Sequence, residues 1–242
     1  MTSGLFITAT NTGSGKTVVT AGLLRAAGRR GLRAVGLKPV ASGSEPIGPT
    51  SRLRNRDALE LQAAAGMSLP YELVNPYCFE PPVAPHLAAR AAGRPIALEA
   101  LIDWYRAASL GADLALVEGA GGWRVPLHPA GFLSDLPEQL GLGVVLVVGL
   151  TLGCLNHARL TADAILGAGR CPLVGWIANH VDPTFERAEE NVETLARLLD
   201  GPPLAQVPHA DLAVARSAFG NPIIDFEAGP RLWGLWGQAP SV

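Results

Sequence analysis

Short, almost continuously apolar segments alternate with longer amphipathic segments along most of the chain. The apolar segments are predicted strands, at residues 5–9, 34–37, 114–117, 144–148, 174–178 and 204–207. Because they lack regular polar alternation, they are typical of parallel strands that are covered on both faces. The amphipathic segments are predicted helices, at residues 16–29, 57–65, 98–109, 155–166 and 184–199. This order predicts an α/β fold: a mostly parallel sheet flanked by helices on both faces.

Two long segments interrupt this alternation, at residues 40–56 and 66–96, and both are rich in Pro, Gly and Ser. We expect loops there, and loops of that length inside a compact domain are usually functional or mobile. The chain shows no internal repeat, low-complexity tract or linker composition. A single domain spanning residues 1–242 is therefore predicted.

Composition narrows the classes of partner. Of the 242 residues 48% are hydrophobic and 17% charged, which excludes a mainly disordered chain. A net charge of −2 gives no basic field for nucleic acid or an anionic membrane surface, so neither is an expected partner. The apolar segment 140–155 is shorter than the roughly 20 residues of a membrane helix. Three scattered cysteines exclude a disulfide framework and fit a reducing, cytoplasmic location.

Polar and glycine residues follow the predicted strands, at the point where each strand ends. The carboxyl ends of parallel strands share one edge of the sheet, where ligands bind. After the first strand, Gly13-Ser14-Gly15-Lys16-Thr17 opens a helix, which is the setting of a phosphate-binding P-loop. Lys16 would reach the β- and γ-phosphates and Thr17 would ligate Mg²⁺. Thr10 stands where the usual first glycine would be, so the standard motif is incomplete.

Two acidic residues are candidates for completing the metal site. Glu118 follows the third predicted strand and precedes the glycine-rich segment 119–122, although a carboxylate there can also cap a turn. Asp57 is either a second Mg²⁺ ligand or a charge that stabilises a helix N-terminus.

Lys16 and Lys38 are the only lysines among the 19 basic residues of the chain. A chain that otherwise uses Arg retains Lys where a compact ammonium is needed. Lys38 follows the second predicted strand, so it would face the P-loop and neutralise charge on a transferring phosphoryl group. Both lysines are therefore predicted to be catalytic, and phosphoryl transfer is the chemistry that the motifs support.

Several segments together resemble the dethiobiotin synthetase family of biotin biosynthesis. They are Gly36-Leu37-Lys38-Pro39-Val40-Ala41-Ser42-Gly43-Ser44, Arg54-Asn55-Arg56-Asp57-Ala58-Leu59, Val74-Asn75-Pro76-Tyr77, Pro85-His86, Val117-Glu118-Gly119-Ala120-Gly121-Gly122-Trp123, Gly153-Cys154-Leu155-Asn156-His157-Ala158 and Gly175-Trp176-Ile177-Ala178-Asn179. The resemblance implies a P-loop NTPase fold and a homodimer with active sites at the subunit interface. It also implies ATP-dependent carboxylation of 7,8-diaminononanoate with CO₂ or bicarbonate and closure to a cyclic urea, with Mg²⁺ as cofactor.

The resemblance also assigns roles to residues. The implied nucleotide-binding positions are Gly13, Ser14, Gly15, Lys16, Thr17, Val18, Asp57, Glu118, Gly119, Ala120, Gly121, Asn179, His180, Pro208, His209 and Ala210. The implied diamine-site positions are Thr12, Lys38, Ser42 and Gly121, with Leu152 and Asn156 reaching the partner subunit's substrate. The implied Mg²⁺ ligands are Thr17, Asp57 and Glu118.

Two departures from the family pattern concern the P-loop. Ala9 stands where family members commonly have glycine, and Gly13-Ser14 where they have an acidic residue followed by Val. The second departure removes a carboxylate beside the phosphates, so ATP, CTP and GTP remain open as substrates.

Three other classes compete with this interpretation. A switch ATPase of the MinD/ParA kind carries a signature lysine where this chain has Asn11. A cobyrinate amidotransferase-like ATPase needs a glutaminase domain, for which 242 residues leave no room. A nucleotide-binding module without catalysis would not need both lysines and both carboxylates.

Overall fold

A computed structural model of the chain describes residues 2–48 and 51–209. In chain order its elements are β1 (Ser3–Ala9), α1 (Lys16–Arg29), β2 (Ala34–Leu37), β3 (Val40–Ala41), β4 (Glu45–Ile47), β5 (Arg52–Arg54), α2 (Arg56–Ala64), α3 (Tyr71–Val74), β6 (Tyr77–Cys78), α4 (Pro85–Ala91), α5 (Leu98–Ala108), β7 (Leu114–Glu118), β8 (Pro126–His128), β9 (Gly131–Phe132), α6 (Asp135–Leu140), β10 (Gly143–Gly149), α7 (Cys154–Ala168), β11 (Leu173–Asn179), α8 (Ala188–Leu198) and β12 (Ala205–Val207).

Six of these strands form one parallel sheet in the order β12-β11-β10-β1-β7-β2. The central strand β1 pairs with β10 on one side and β7 on the other, so that Phe6 is opposite both Val144 and Val117. The strands that come first after β1 in the sequence, β2 and β7, lie on one side of it, and the later strands β10, β11 and β12 lie on the other. Ligands of open α/β sheets bind where the strand order reverses in this way, which places the site at the carboxyl end of β1.

Alternation along the strands divides the core between the two faces of the sheet. On one face, Ile7, Leu116 and Val147 pack under α1 and α2. On the other face, Phe6 and Val117 belong to a cluster that includes residues of α4, α5 and α6. Residues of α7 and α8 pack against β10 and β11 on that second face. The predicted parallel sheet with helices on both faces is therefore confirmed.

The six predicted strands and five predicted helices are all present, with one clear boundary error. The last helix begins at Ala188 rather than at 184, because Arg187 has a left-handed backbone with φ of 57°. The prediction that 40–56 and 66–96 are loops is wrong in part. Within them lie β3, β4, β5, β6, α3, α4 and Arg56, the first residue of α2. The strands there have two or three residues and pair outside the main sheet, so they lack a detectable periodicity.

Within residues 2–48 and 51–209, no helix combines the length and apolar character that crossing a bilayer requires. The predicted extent of the domain, 1–242, stays a prediction because residues 210–242 lie outside the described part of the chain.

Candidate active site

The turn between β1 and α1 is held open for an anion by its glycines. Gly15 precedes α1 with φ of 78°, in the left-handed region that favours glycine. A Cβ on Gly15 would lie 2.0 Å from Asn179 Nδ2, so a side chain is excluded sterically as well. Asn179 ends β11 and donates from Nδ2 to the Ser14 carbonyl at 2.9 Å, which fixes this turn. The N-terminus of α1, which has no acidic residue in its first turn, therefore faces the site with its amide groups free of a competing carboxylate.

Lys16 lies in the first turn of α1 and is only 7% exposed. Within the described residues its Nζ donates to the Gly121 carbonyl at 2.7 Å and to the Asn11 carbonyl at 3.5 Å. Burial, and next the charge of Lys38, lower the pKa of Lys16 to about 8. A phosphate anion would stabilise this ammonium in a way that the two carbonyls do not.

Lys38, Glu118, Asp57 and Thr17 form a connected charged cluster beside Lys16. The Lys38 ammonium contacts Glu118 Oε1 at 2.5 Å, Asp57 Oδ2 at 3.1 Å and the Gly119 carbonyl at 3.3 Å. The Thr17 hydroxyl donates to the same Glu118 oxygen at 2.9 Å. Glu118 shares its strand face with Leu114 and Leu116, which pack under α1, and this alternation directs its carboxylate toward the P-loop helix.

Electrostatics favour the charged forms of Lys38 and Asp57. Burial opposes the charge on Lys38, but Glu118 and Asp57 outweigh it and raise the pKa of Lys38 above its usual range. The charge of Lys38 holds the pKa of Asp57 below its usual range, and the hydrogen bond from Lys38 adds to this. The cluster therefore presents one ammonium and two ionisable carboxyl groups at the carboxyl ends of β2 and β7.

The oxygen donors of this cluster fit a magnesium ion. Glu118 is fully buried, and its Oε2 has no hydrogen-bond partner within the described residues. Asp57 is 44% exposed in its side chain, so it reaches both Lys38 and the cavity. Mg²⁺ usually takes one or two carboxylates, with phosphates and water as its other ligands. The described residues contain no group of three or more His, Cys, Asp or Glu that could hold a metal, so a nucleotide would have to supply ligands.

A cavity of about 820 Å³ brings most of the predicted positions together. The predicted residues that line it are Thr12, Gly13, Gly15, Lys16, Thr17, Val18, Lys38, Ser42, Asp57, Glu118, Ala120 and Gly121. Ser14 and Gly119 are buried behind its wall. Gly13 has φ of 83°, and a Cβ there would meet nothing within 4 Å, so the loop is open where the family carries an acidic side chain.

Sequence reasoning missed part of this wall. The unpredicted lining residues are Ala41, Asn55, Pro82, Val83, Ala84, Pro85, Gly122, Arg124, Val125 and Pro126. Asn55 and Pro85 stand in the quoted motifs Arg54-Asn55-Arg56-Asp57 and Pro85-His86, so those motifs could have indicated that these two residues line the site. Nothing in the sequence separates Arg124 from the other arginines of this arginine-rich chain.

A second cavity of about 470 Å³ lies at the ends of β11 and β12. Three residues predicted to bind the nucleotide line it, namely His180, Pro208 and His209, together with Asp182, Pro183, Phe185, Glu189 and Gln206. His180 Nε2 is 3.2 Å from Gln206 Oε1, and His209 Nδ1 is 3.1 Å from the His180 carbonyl. Asn179 does not line this cavity but holds the P-loop, and Ala210 lies outside the described residues.

Leu152 and Asn156 lie apart from both cavities. Leu152 is 93% exposed in the turn before α7, and Asn156 is exposed in the first turn of that helix. One chain alone does not place them in a site.

The geometry agrees with what comparison with known proteins finds. A family model described as an AAA domain matches residues 3–217. The ATP-dependent dethiobiotin synthetase BioD of Pseudomonas aeruginosa strain UCBPP-PA14 is 54% identical over 209 residues, covering 86% of this chain and 90% of that protein. The protein with the same description from Cellvibrio japonicus is 47% identical, covering 91% of this chain and 97% of that protein. The chain belongs to the ATP-dependent dethiobiotin synthetase family.

Solved structures similar to this dethiobiotin synthetase family member show its fold alone. The septum site-determining protein MinD of Pyrococcus horikoshii OT3, complexed with Mg-ADP, has a TM-score of 0.57 and 19% identity over 87% of this chain and 82% of that one. A ParA family ATPase of Chlorobium tepidum TLS has a TM-score of 0.55 and 13% identity over 87% of this chain and 86% of that one. The family and the fold together confirm the prediction of a P-loop enzyme that uses a nucleotide. The likeness to the switch ATPases MinD and ParA is one of fold only.

Proposed function

We propose that this chain converts 7,8-diaminononanoate, CO₂ and ATP into dethiobiotin, ADP and phosphate. The observation that carries the proposal is the single cavity that combines a P-loop, two buried lysines and two carboxylates. Membership of the dethiobiotin synthetase family supplies the substrate class.

The reaction needs no nucleophile from the protein. One substrate amine attacks CO₂ and loses a proton, which gives a carbamate. A carbamate oxygen then attacks the γ-phosphorus of ATP, and ADP leaves. The second amine attacks the carbonyl carbon of this mixed anhydride, expels phosphate and closes the cyclic urea. Because both amines belong to one substrate molecule, catalysis is mainly positioning and stabilisation of charge.

Lys16 and Lys38 supply that stabilisation. Lys16 is held at the P-loop by carbonyl oxygens that a phosphoryl group would replace as its partner. Lys38 lies between Glu118 and Asp57, where its ammonium would hold the carbamate oxygen in position for attack. Thr12, Ser42 and Gly121 line the same cavity and would contact the diamine.

Thr17, Asp57 and Glu118 would hold Mg²⁺, and the unpartnered Glu118 Oε2 supports this assignment. The ion would neutralise charge on the phosphates of the bound nucleotide. The chain's own contribution is the Lys38 ammonium, whose charge lowers the pKa of Asp57 and which contacts both carboxyl groups.

The second cavity would receive the base. His180 and His209 line it, and His180 directly follows the residue that holds the P-loop, so one strand end would contact both ends of a nucleotide. ATP is the nucleotide that the family name indicates, and Pro208 and Ala210 remain predicted contacts.

Completion of the site requires a second copy. Leu152 and Asn156 are exposed and line neither of the two cavities of their own chain, which fits a role in the partner subunit's site. We therefore propose a homodimer with shared sites, and a cytoplasmic location stays a prediction from cysteine usage.

The test is phosphate release by the purified protein with Mg²⁺-ATP and bicarbonate, with and without 7,8-diaminononanoate. We expect release that depends on the diamine, with one cyclic urea per phosphate detected by mass spectrometry. Release that is indifferent to the diamine would contradict the proposal. CTP and GTP in place of ATP would measure the effect of Gly13 on nucleotide choice.

A further inference from the structure

A buried tyrosine and a buried asparagine lie behind the active site and have no part in the proposed chemistry. Tyr71 begins α3 and Asn75 follows that helix, within the segment that carries the Val74-Asn75-Pro76-Tyr77 motif. Tyr71 is 6% exposed and Asn75 2% exposed. Neither lines the two cavities described above. Because buried polar groups are costly unless they are hydrogen-bonded, their hydrogen-bond partners show what they stabilise.

Asn75 holds the backbone of Lys38. Its Nδ2 donates to the Lys38 carbonyl at 2.7 Å and to the Tyr77 carbonyl at 3.2 Å. The Lys38 amide donates in turn to the Val74 carbonyl at 2.8 Å. Both backbone polar groups of Lys38 are therefore fixed by residues 74 and 75, which sets the origin of the side chain that reaches Glu118.

Tyr71 connects this asparagine to the helix that carries Asp57. Its hydroxyl donates to Asn75 Oδ1 at 3.0 Å and accepts from the Asn55 amide at 2.7 Å. Asn55 is the N-cap of α2, and its Oδ1 accepts from the Ala58 amide at 3.3 Å. Asp57 lies in the first turn of that helix, so one hydroxyl is bonded to both supports of the Lys38–Asp57 ion pair.

The tyrosine ring is itself held. The Arg54 guanidinium carbon lies 4.1 Å from the centroid of the Tyr71 ring, within range of a cation–π interaction. Burial raises the pKa of Tyr71, so its hydroxyl keeps its proton and remains a donor. The protonated hydroxyl donates to the Asn75 side chain and accepts from the Asn55 backbone N–H, and it also lies 3.6 Å from Cys78 Sγ.

We propose that Tyr71 is a positioning residue, whose hydroxyl sets the Lys38 ammonium and the Asp57 carboxylate relative to each other through Asn75 and Asn55. The inference rests on the proposed function, because it gives these two groups their roles in phosphoryl transfer and metal binding. Tyr71 contacts neither substrate nor nucleotide and acts only through its two neighbours.

The experiment compares Tyr71→Phe with Tyr105→Phe. Tyr105 is 8% exposed in α5, and its hydroxyl lies against Gly4 at the amino end of β1, the opposite edge of the sheet from the P-loop. Each variant removes one hydroxyl from a buried ring, but only the first should affect the site. We expect Tyr71→Phe to lower kcat about tenfold, equivalent to ~1.4 kcal/mol, while the KM for the diamine changes less than twofold. Tyr105→Phe should keep the wild-type kcat.

A second readout does not depend on turnover. The affinity for ADP is measured by calorimetry with and without Mg²⁺. The factor by which Mg²⁺ increases this affinity should fall severalfold in Tyr71→Phe but not in Tyr105→Phe. If Tyr71→Phe and Tyr105→Phe have the same kcat and the same increase of ADP affinity with Mg²⁺, the inference is wrong. If Tyr71→Phe does not fold, Asn75→Ala tests the Lys38 branch, and a kcat within twofold of Tyr105→Phe would overturn the inference. If wild-type protein shows no diamine-dependent release, the proposed function fails, while calorimetry still tests Tyr71.

Discussion

Removal of the Lys38 charge should destabilise the fold as well as stop the reaction. The substitution Lys38→Met keeps an unbranched side chain one atom shorter and removes the ammonium. Glu118 is fully buried and would keep only the Thr17 hydroxyl at 2.9 Å, since its other oxygen has no partner in the described residues. A buried carboxylate would then lack its contacting cation.

The expected loss in the free energy of unfolding follows from the burial of the two carboxylates. Loss of one partner of a buried ion pair costs about 3–5 kcal/mol, and the fully buried Glu118 is the carboxylate to which this applies. Asp57 is 44% exposed, so loss of its ion pair contributes little. We expect the free energy of unfolding without nucleotide to fall by about 3–5 kcal/mol, and kcat to fall by about 10² or more.

The measurement is urea unfolding followed by tryptophan fluorescence, with the midpoint compared at a constant m-value. The double variant Lys38→Met/Glu118→Gln should regain part of the lost stability, because a buried amide carries no charge. Loss of less than about 1 kcal/mol in the single variant would refute this account of the cluster. So would a double variant that is no more stable than the single one.

Three further predictions address other parts of the site. Lys16→Ala should lower turnover by about 10² with the fold intact by circular dichroism, because it removes a charge aimed at the transferring phosphoryl group; near-normal turnover would contradict its role. Asn156→Ala should chiefly raise the KM for the diamine, and mixed dimers with Lys16→Ala should regain some activity, whereas no recovery would argue against shared sites. Gly15→Ala should cost about 1–3 kcal/mol of stability, because φ is 78° and Asn179 occupies the space of the new Cβ, and it should weaken ADP binding in calorimetry. Wild-type ADP affinity in that variant would contradict the tight packing of the loop.

The parts of the fold with a strong local pattern of apolar and polar residues were predictable from the sequence. The buried strands of the sheet are continuous apolar runs, and the P-loop has a spacing that fixes both its local structure and its place after β1. Glu118 could be placed on the P-loop face because it continues the alternation of Leu114 and Leu116.

What could not be predicted depends on contacts that are distant in sequence. The two-residue strands β3 and β6 exist because they pair with each other across 37 positions, as Val40 with Tyr77. The hydrogen bond from the Asn179 side chain to the Ser14 carbonyl was not predicted, because it joins residues 165 positions apart. The contact of Asn179 with the base stays a prediction. The wall at 82–85 and Arg124 had no periodic signal that would have revealed them.

The adjacency of Asn179 and His180 has a consequence for how such an enzyme can change over time. One residue braces the phosphate loop, and the next lines the second cavity, whose other walls come from residues 182–189 and 206–209. If the second cavity receives the base, as proposed, substitutions in those walls can remodel it without altering the lysines and carboxylates of the first cavity. Base recognition and bond-making chemistry would then be separable traits in this architecture, joined at one strand end, and each could drift or be engineered while the other stays constant.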